Sequence, residues 1–174
     1  MIKKINLASS LIHGGLAALL ACIPVFFYIR DASYTQSWLI YLGSFFFAVV
    51  IAIHTLRLNK KRGGNESTVF MVFESHVTTL IGVIITCILC FVLLTIFIPG
   101  YLSEGPAGKV MTNAPPNSLE DKTNGLSFKV FMGAILFNFS MGSFVGIVFP
   151  FYSKRNQKKD SREPTPLHQR GTTS

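Results

Sequence analysis

Residues 77–98 read VTTLIGVIITCILCFVLLTIFI. This stretch carries no charge and is long enough for an α-helix to cross roughly 30 Å of hydrocarbon, which takes about 20 residues. Three further runs have the same character, at 7–29, 38–56 and 128–152. A soluble helix would place charges every few residues, whereas Lys129 is the only Lys or Arg inside the four runs. The sequence therefore predicts four membrane-spanning helices.

The composition supports an all-α membrane protein rather than a soluble domain. Apolar residues make up 49% of the 174 residues and charged residues only 14%. Four fully apolar helices in so small a soluble protein would have nothing to cover them. The turn at 31–37 is short enough to join neighbouring antiparallel helices. We therefore predict an antiparallel four-helix bundle over residues 1–155, followed by a disordered basic tail at 156–174, where polar residues and prolines accumulate.

The placement of the basic residues predicts the orientation. Twelve of the sixteen Lys and Arg residues lie before the first run, between the second and third runs, or after the fourth. Cytoplasmic segments of membrane proteins are enriched in Lys and Arg. Both termini are thus predicted to be cytoplasmic, and the expected location is a bacterial inner membrane crossed several times.

The net charge of +8 is explained by this topology, so we predict no nucleic-acid partner. The lipid bilayer is the expected surrounding of the four runs. The basic segment that follows the last run has two possible roles. It either anchors the topology or contacts anionic lipid. The residues that would make this contact are Lys154, Arg155, Lys158 and Lys159.

The three cysteines all lie inside apolar runs. Cys22, Cys87 and Cys90 are poor candidates for a disulfide framework or for a zinc site, which needs clustered ligands at defined spacing. Buried thiols usually behave as small hydrophobes. Cys22 also resembles the acceptor of a lipoprotein signal, but the chain stays apolar through Ile29, where a mature lipoprotein would turn polar.

A small residue recurs at every fourth position of each predicted span. Small side chains allow the backbones of membrane helices to approach closely, so we predict that these stripes line the bundle interior and that the Phe-rich faces, including Phe45, Phe46 and Phe47, largely contact lipid. The predicted packing residues are Gly14, Ala18, Ala48, Gly82, Asn138, Gly142 and Gly146. Asn138 is strongly polar and near a helix centre, and we expect its side chain to hydrogen-bond across helices.

Ionisable residues at membrane depth are costly, which makes each one a candidate site. His13, His54, Glu74 and His76 all fall toward the cytoplasmic ends of their helices. Three imidazoles and a carboxylate at one level could hold a metal ion or relay protons. The alternative is that they are interfacial residues in contact with water and headgroups. Glu74 and His76 are two positions apart and project from different helix faces, which disfavours a shared site.

The order of these parts resembles small four-span bacterial inner-membrane proteins of unknown function. The resemblance covers roughly residues 5–155 and depends on the basic turn at 57–64, on Phe70 and Phe73 before the third run, on Pro99 at its exit and on Lys154 after the fourth. It implies a fold and a location, and it carries over no functional residue.

The sequence holds no phosphate-binding glycine loop, no His-Glu-x-x-His and no Gly-x-Ser-x-Gly pattern. We therefore predict no catalytic residue and no cofactor. The favoured hypothesis is a non-enzymatic membrane component, such as an accessory or assembly subunit that binds a partner membrane protein or forms a homo-oligomer. One alternative is a small oligomeric transporter or channel. Another is a membrane metal-binding protein or enzyme that uses His13, His54 and His76.

Overall fold

The computed structural model describes residues 6–61, 67–105, 107–115 and 121–160, and at 59–61 and 154–160 it describes the backbone alone. Within these ranges the regular secondary structure is helical, and the only β-type pairing is an isolated bridge between Ser33 and Thr112. Four helical segments are long and apolar enough to cross a membrane, which confirms the predicted all-α class. The helices are α1 (Leu7–Asp31), α2 (Trp38–Lys61), α3 (Thr68–Phe97), α4 (Leu126–Met132) and α5 (Asn138–Asp160). A π-turn at Gly133–Phe137 joins α4 to α5, so these two helices form one fourth span.

The ends of α1 are set by local hydrogen bonds. The Asn6 side chain accepts a hydrogen bond from the Ser9 amide at 3.1 Å and so caps the first turn. At the other end Ala32 adopts a left-handed conformation with φ 48°, and its amide donates to the Tyr28 carbonyl. This left-handed residue turns the chain into a short 3₁₀ turn that leads directly to α2.

Each of α1 and α5 packs mainly against the same two helices, α2 and α3. The contacts also show which ends of the helices lie next to one another. His13 near the start of α1 touches His54 near the end of α2, and Gly14 faces Thr78 and Gly82 in the first half of α3. The start of α1, the end of α2 and the start of α3 therefore share one end of the molecule.

The segment between α3 and α4 folds back over the opposite end. Met111 is buried, and its sulfur accepts a hydrogen bond from the Tyr28 hydroxyl at 3.3 Å. The Thr112 amide donates to the Ala32 carbonyl at 2.8 Å, and the Tyr34 amide donates to the Thr112 carbonyl at 3.0 Å. We call the described residues 99–105, 107–115 and 121–125 the cap segment. It is tied to the turn between α1 and α2, a packing that hydropathy does not predict.

A turn organised by Asp121 ends the cap segment and leads into α4. Its Oδ1 accepts hydrogen bonds from the amide and hydroxyl of Thr123, both at 2.8 Å, and from the Gly125 amide at 2.9 Å. Partial burial raises the pKa of the Asp121 carboxyl, but these hydrogen bonds more than offset it and leave the pKa below its ordinary value. Gly125 has φ 83°, a left-handed conformation that suits glycine.

Lys129, the one cation inside the predicted spans, lies in the first turns of α4. Its Nζ donates to the Ser37 hydroxyl at 2.9 Å and lies 3.3 Å from the centroid of the Tyr34 ring. The charge is therefore held at the end of the span by groups from the turn before α2. This arrangement is typical of a lysine that extends its ammonium to the membrane interface.

The last helix extends farther than the hydropathy pattern indicates. It continues to Asp160, so residues 156–160, which the sequence assigns to a disordered tail, are helical. Residues 161–174 lie outside the described part of the chain.

Candidate functional site

A polar cluster occupies the interior at the end of the bundle where α1 and α3 begin. We define it by the members that the structure buries or brings into contact: His13, His54, Thr55, Glu74, Ser75 and Thr78. Three helices contribute, and five of these residues, all except His13, are buried, where polar groups require partners.

His13 and His54 are in direct contact. Their ring centroids are 4.4 Å apart and the rings are tilted by 41°. The Nδ1 of His13 lies 2.8 Å from the Ser9 carbonyl, which can only accept, so Nδ1 carries a proton there. In the neutral imidazole this leaves Nε2 as the basic nitrogen.

The protonation of His54 follows from its partner. The Thr78 hydroxyl donates its one proton to the Glu74 carbonyl at 2.9 Å. It therefore accepts from His54, whose Nε2 lies 3.1 Å away, and this nitrogen carries the proton. A second bond joins the same helices, because the hydroxyls of Thr55 and Ser75 are 2.8 Å apart.

Glu74 is the acidic member of the cluster and has 0% of its surface exposed. It lies one helical turn before Thr78, the threonine that contacts His54. Burying a carboxyl group at membrane depth is costly in its charged form, and such groups concentrate at functional sites. The paired imidazoles, together with a buried carboxyl group one helical turn from Thr78, make this end of the interior the strongest candidate site.

His76, the fourth residue of the sequence-based metal hypothesis, faces elsewhere. Its Nδ1 donates to the Val72 carbonyl at 2.8 Å. The ring lies next to Gly146 on α5, where a Cβ would be 3.6 Å from Nδ1. Across the described ranges, no three His, Cys, Asp or Glu side chains gather closely enough to hold a metal ion. The structure thus pairs His13 with His54 and separates His76 from them.

The predicted packing residues lie in the interior. Gly14 faces α3 so closely that a Cβ on it would be 2.9 Å from the Thr78 carbonyl oxygen and 3.1 Å from the Gly82 nitrogen. Both are backbone atoms, so α1 and α3 meet backbone to backbone at this level. The other members of the predicted set are also buried: Ala18, Ala48, Gly82, Asn138, Gly142 and Gly146.

The expectation that Phe45, Phe46 and Phe47 all contact lipid is wrong for Phe47. Phe45 is 53% exposed, whereas Phe47 is fully buried. Consecutive helix residues are about 100° apart, so three in a row cannot share one face. The Phe47 ring fills the space left by Gly82 and Gly142, where a Cβ would be 2.8 Å and 3.2 Å from ring carbons. The small residues on α3 and α5 therefore admit an aromatic ring as well as a neighbouring backbone.

Asn138 does not form the predicted cross-helix bond through its carbonyl oxygen. The side chain is 2% exposed, yet Oδ1 has no hydrogen-bond partner among the described residues. The residue directly follows the π-turn that ends at Phe137. Such turns often accompany functional sites.

Sequence reasoning missed the polar contacts that join α2 to α3, which are Thr78 with His54 and Thr55 with Ser75. The available signal was spacing. Glu74 and Thr78 are four apart, as are Ser75 and Thr79, so each pair lies on one face of α3. A face of this kind in an otherwise apolar helix indicates a buried polar contact.

Comparison with known proteins leaves this fold and site without a match: no family model, no curated protein and no solved structure is similar to the chain.

Proposed function

We propose that this chain is a non-enzymatic multi-pass protein of a bacterial inner membrane that acts as an accessory or assembly subunit. In this proposal the spans form an antiparallel bundle with both termini in the cytoplasm. The observation that carries the proposal is direct contact between helices along the interior, with Gly14 against the backbone of α3 and the Phe47 ring between Gly82 and Gly142. A bundle filled in this way suits a scaffold that presents its outer faces to a partner.

Those outer faces support the same proposal. Ile84, Ile88 and Phe91 lie along one side of α3 and are about half exposed. Phe144 on α5 is also exposed. Exposed apolar residues of this size are suited to lipid or to the spans of another protein.

The proposed orientation combines two arguments. The polar-cluster end holds the start of α1, the end of α2 and the start of α3, which is the arrangement that alternating helix directions require. Most Lys and Arg residues flank this end in the sequence. The proposed contact of Lys154, Arg155, Lys158 and Lys159 with anionic lipid concerns side chains outside the described part of the structure.

The orientation can be tested with single cysteines at Ser103, which is exposed in the cap segment, and at Ser161. In intact spheroplasts an impermeant thiol reagent should label Ser103→Cys and leave Ser161→Cys unlabelled until the membrane is opened. The unsubstituted chain is the control, since its cysteines lie within the spans. The reverse pattern would show that the orientation is inverted.

The subunit role can be tested by affinity purification of the full chain from native membranes in mild detergent. We expect one or more membrane proteins to co-purify at fixed stoichiometry, and Ile88→Asn on the exposed face should reduce that recovery more than Phe144→Asn if α3 is the contact. A chain that purifies alone from every native membrane preparation would contradict the subunit role.

A second candidate function, binding of a transition metal or of protons, is favoured by the contact between His13 and His54. If it is correct, purified protein should retain metal that His54→Ala removes. His76→Ala is the matched control and should leave the metal bound. Protein that is metal-free, with unchanged stability in His54→Ala, would contradict metal binding by these residues.

A further inference from the structure

Cys22 on α1 and Cys90 on α3 belong to one buried cluster, in which their side chains are close enough to interact. Cys22 is 8% exposed and Cys90 is 0% exposed. Two soft, polarizable sulfur atoms therefore lie near each other in the interior of the bundle, away from the polar cluster.

The register of the two helices places this pair independently of the thiol contact. Gly14 on α1 contacts Gly82 on α3. Cys22 and Cys90 each follow these glycines by eight residues, or slightly more than two turns. Since both helices advance by the same amount from a shared contact, the two cysteines stay opposite one another.

One of the two sulfurs, that of Cys22, can be reached from a groove on the outside of the bundle. Cys22 lines a groove of about 390 Å³ between α1 and α3, whose walls are otherwise apolar and include Leu19, Phe26, Leu89 and Val92. Cys90 does not line this groove and is fully buried. An ion delivered along the groove would meet Cys22 first.

The number and type of ligands select the ion. Zinc is held by four ligands in structural sites, and the described residues provide no cluster of three or more metal-binding side chains. Thiols prefer soft ions such as Cu(I), and monovalent ions with filled d shells accept two sulfur ligands in line. We propose that Cys22 and Cys90 form a two-coordinate site for a soft monovalent metal ion, Cu(I) or Ag(I).

The charge balance suits an apolar site. One thiol loses its proton to water as the ion binds, and the second thiol donates a sulfur lone pair without losing its own proton. The charge of the metal ion replaces that of the departing proton, so the site stays neutral overall. The metal keeps its oxidation state. Neutrality matters because an uncompensated charge in this environment would be costly.

The test uses the reduced full chain in detergent, with Ag(I) as the probe. After exchange against a competing thiol ligand, we expect one Ag(I) per chain by elemental analysis and a matching mass increase in native mass spectrometry. Cys22→Ser and Cys90→Ser should each weaken retention at least tenfold. Cys87→Ser is the matched control, since this cysteine lies on α3 near the pair, and it should keep the metal, as should His54→Ala.

Three outcomes would overturn the proposal: no Ag(I) retained by the unsubstituted chain, undiminished retention in Cys22→Ser and Cys90→Ser, or equal loss in Cys87→Ser. If a serine variant fails to fold, a protection experiment on the unsubstituted chain still tests the proposed site. Bound Ag(I) should slow modification of Cys22 and Cys90 by a membrane-permeant thiol reagent, mapped by peptide mass spectrometry. Equal modification rates with and without Ag(I) would count against the site. Zn(II) added in place of Ag(I) should give no protection.

Discussion

Adding one methyl group at Gly14 tests the backbone contact between α1 and α3. In a helix interior, Ala is favoured over Gly by about 1 kcal/mol. At Gly14, however, a Cβ would be 2.9 Å from the Thr78 carbonyl oxygen and 3.1 Å from the Gly82 nitrogen. Backbone atoms can yield only if the helices separate, and overpacking of this kind costs about 1–3 kcal/mol. We therefore expect Gly14→Ala to lower the free energy of unfolding by up to about 2 kcal/mol.

The neighbouring glycine is a matched control. At Gly15 the nearest atom to an added Cβ is Ile85 Cδ1, at 3.9 Å, which is ordinary van der Waals contact. Gly15→Ala should therefore keep the gain in helix propensity and stabilise the protein by up to about 1 kcal/mol. The two variants have the same composition and differ only in the face that receives the methyl group.

The measurement is reversible unfolding of both variants in mixed micelles, followed by circular dichroism as the denaturing detergent fraction rises. The free energies of unfolding should differ by about 1–3 kcal/mol, with Gly14→Ala the less stable. Equal stabilities, or a more stable Gly14→Ala, would refute the close approach of α1 to α3 at this level.

Three further predictions concern the cap segment, its final turn and the core. Tyr28→Phe removes the hydroxyl that donates to the cap segment, and it should cost about 0.5–1.5 kcal/mol and speed proteolysis there; unchanged proteolysis would show that packing alone holds the segment. Because hydrogen bonds hold the pKa of Asp121 below its ordinary value despite the opposing effect of partial burial, its stabilisation of the turn should be full above that ordinary value and be lost as the pH falls through the lowered pKa. The Gly125 amide shift in NMR should follow this titration and should stop titrating in Asp121→Asn; an ordinary carboxyl pKa would contradict the geometry. Phe47→Ala should destabilise by about 3–5 kcal/mol in thermal unfolding, whereas Phe45→Ala on the exposed side should cost far less, and equal losses would contradict the buried position of the Phe47 ring.

Hydropathy was sufficient for the helices because span length and the absence of charge are local properties. The four runs predicted four apolar helices, and the structure confirms them. The level of a residue along the bundle could also be predicted, since the order of the spans placed His13 and His54 at one level and the two rings do meet. The direction in which a side chain points around its helix axis could not be predicted. Nothing local to His76 says that its ring faces α5 rather than the paired imidazoles.

Contacts that depend on tertiary structure could not be predicted from the sequence. The burial of Phe47 requires space left by glycines on two other helices, and the fold of the cap segment requires Tyr28 to meet Met111 from a distant part of the chain. One distant contact did have a readable signal. Small residues recur at positions 10, 14, 18 and 22 of α1 and at positions 78, 82, 86 and 90 of α3. Because the two sets have the same spacing, aligning them at Gly14 and Gly82 would have placed Cys22 opposite Cys90.

The π-turn at Gly133–Phe137 sets the angular phase between the two halves of the fourth span. A π-turn accommodates one more residue than the α-helix it interrupts, and one residue corresponds to about 100° of rotation. Removing a residue from this turn would let α4 and α5 merge into a regular helix and would rotate everything before it by that angle. Lys129 would then leave Ser37 and Tyr34, while Gly142 could keep its place against α3. The single extra residue thus lets the fourth span direct a cation at the turn before α2 and, at the same time, direct its face of small residues at the core.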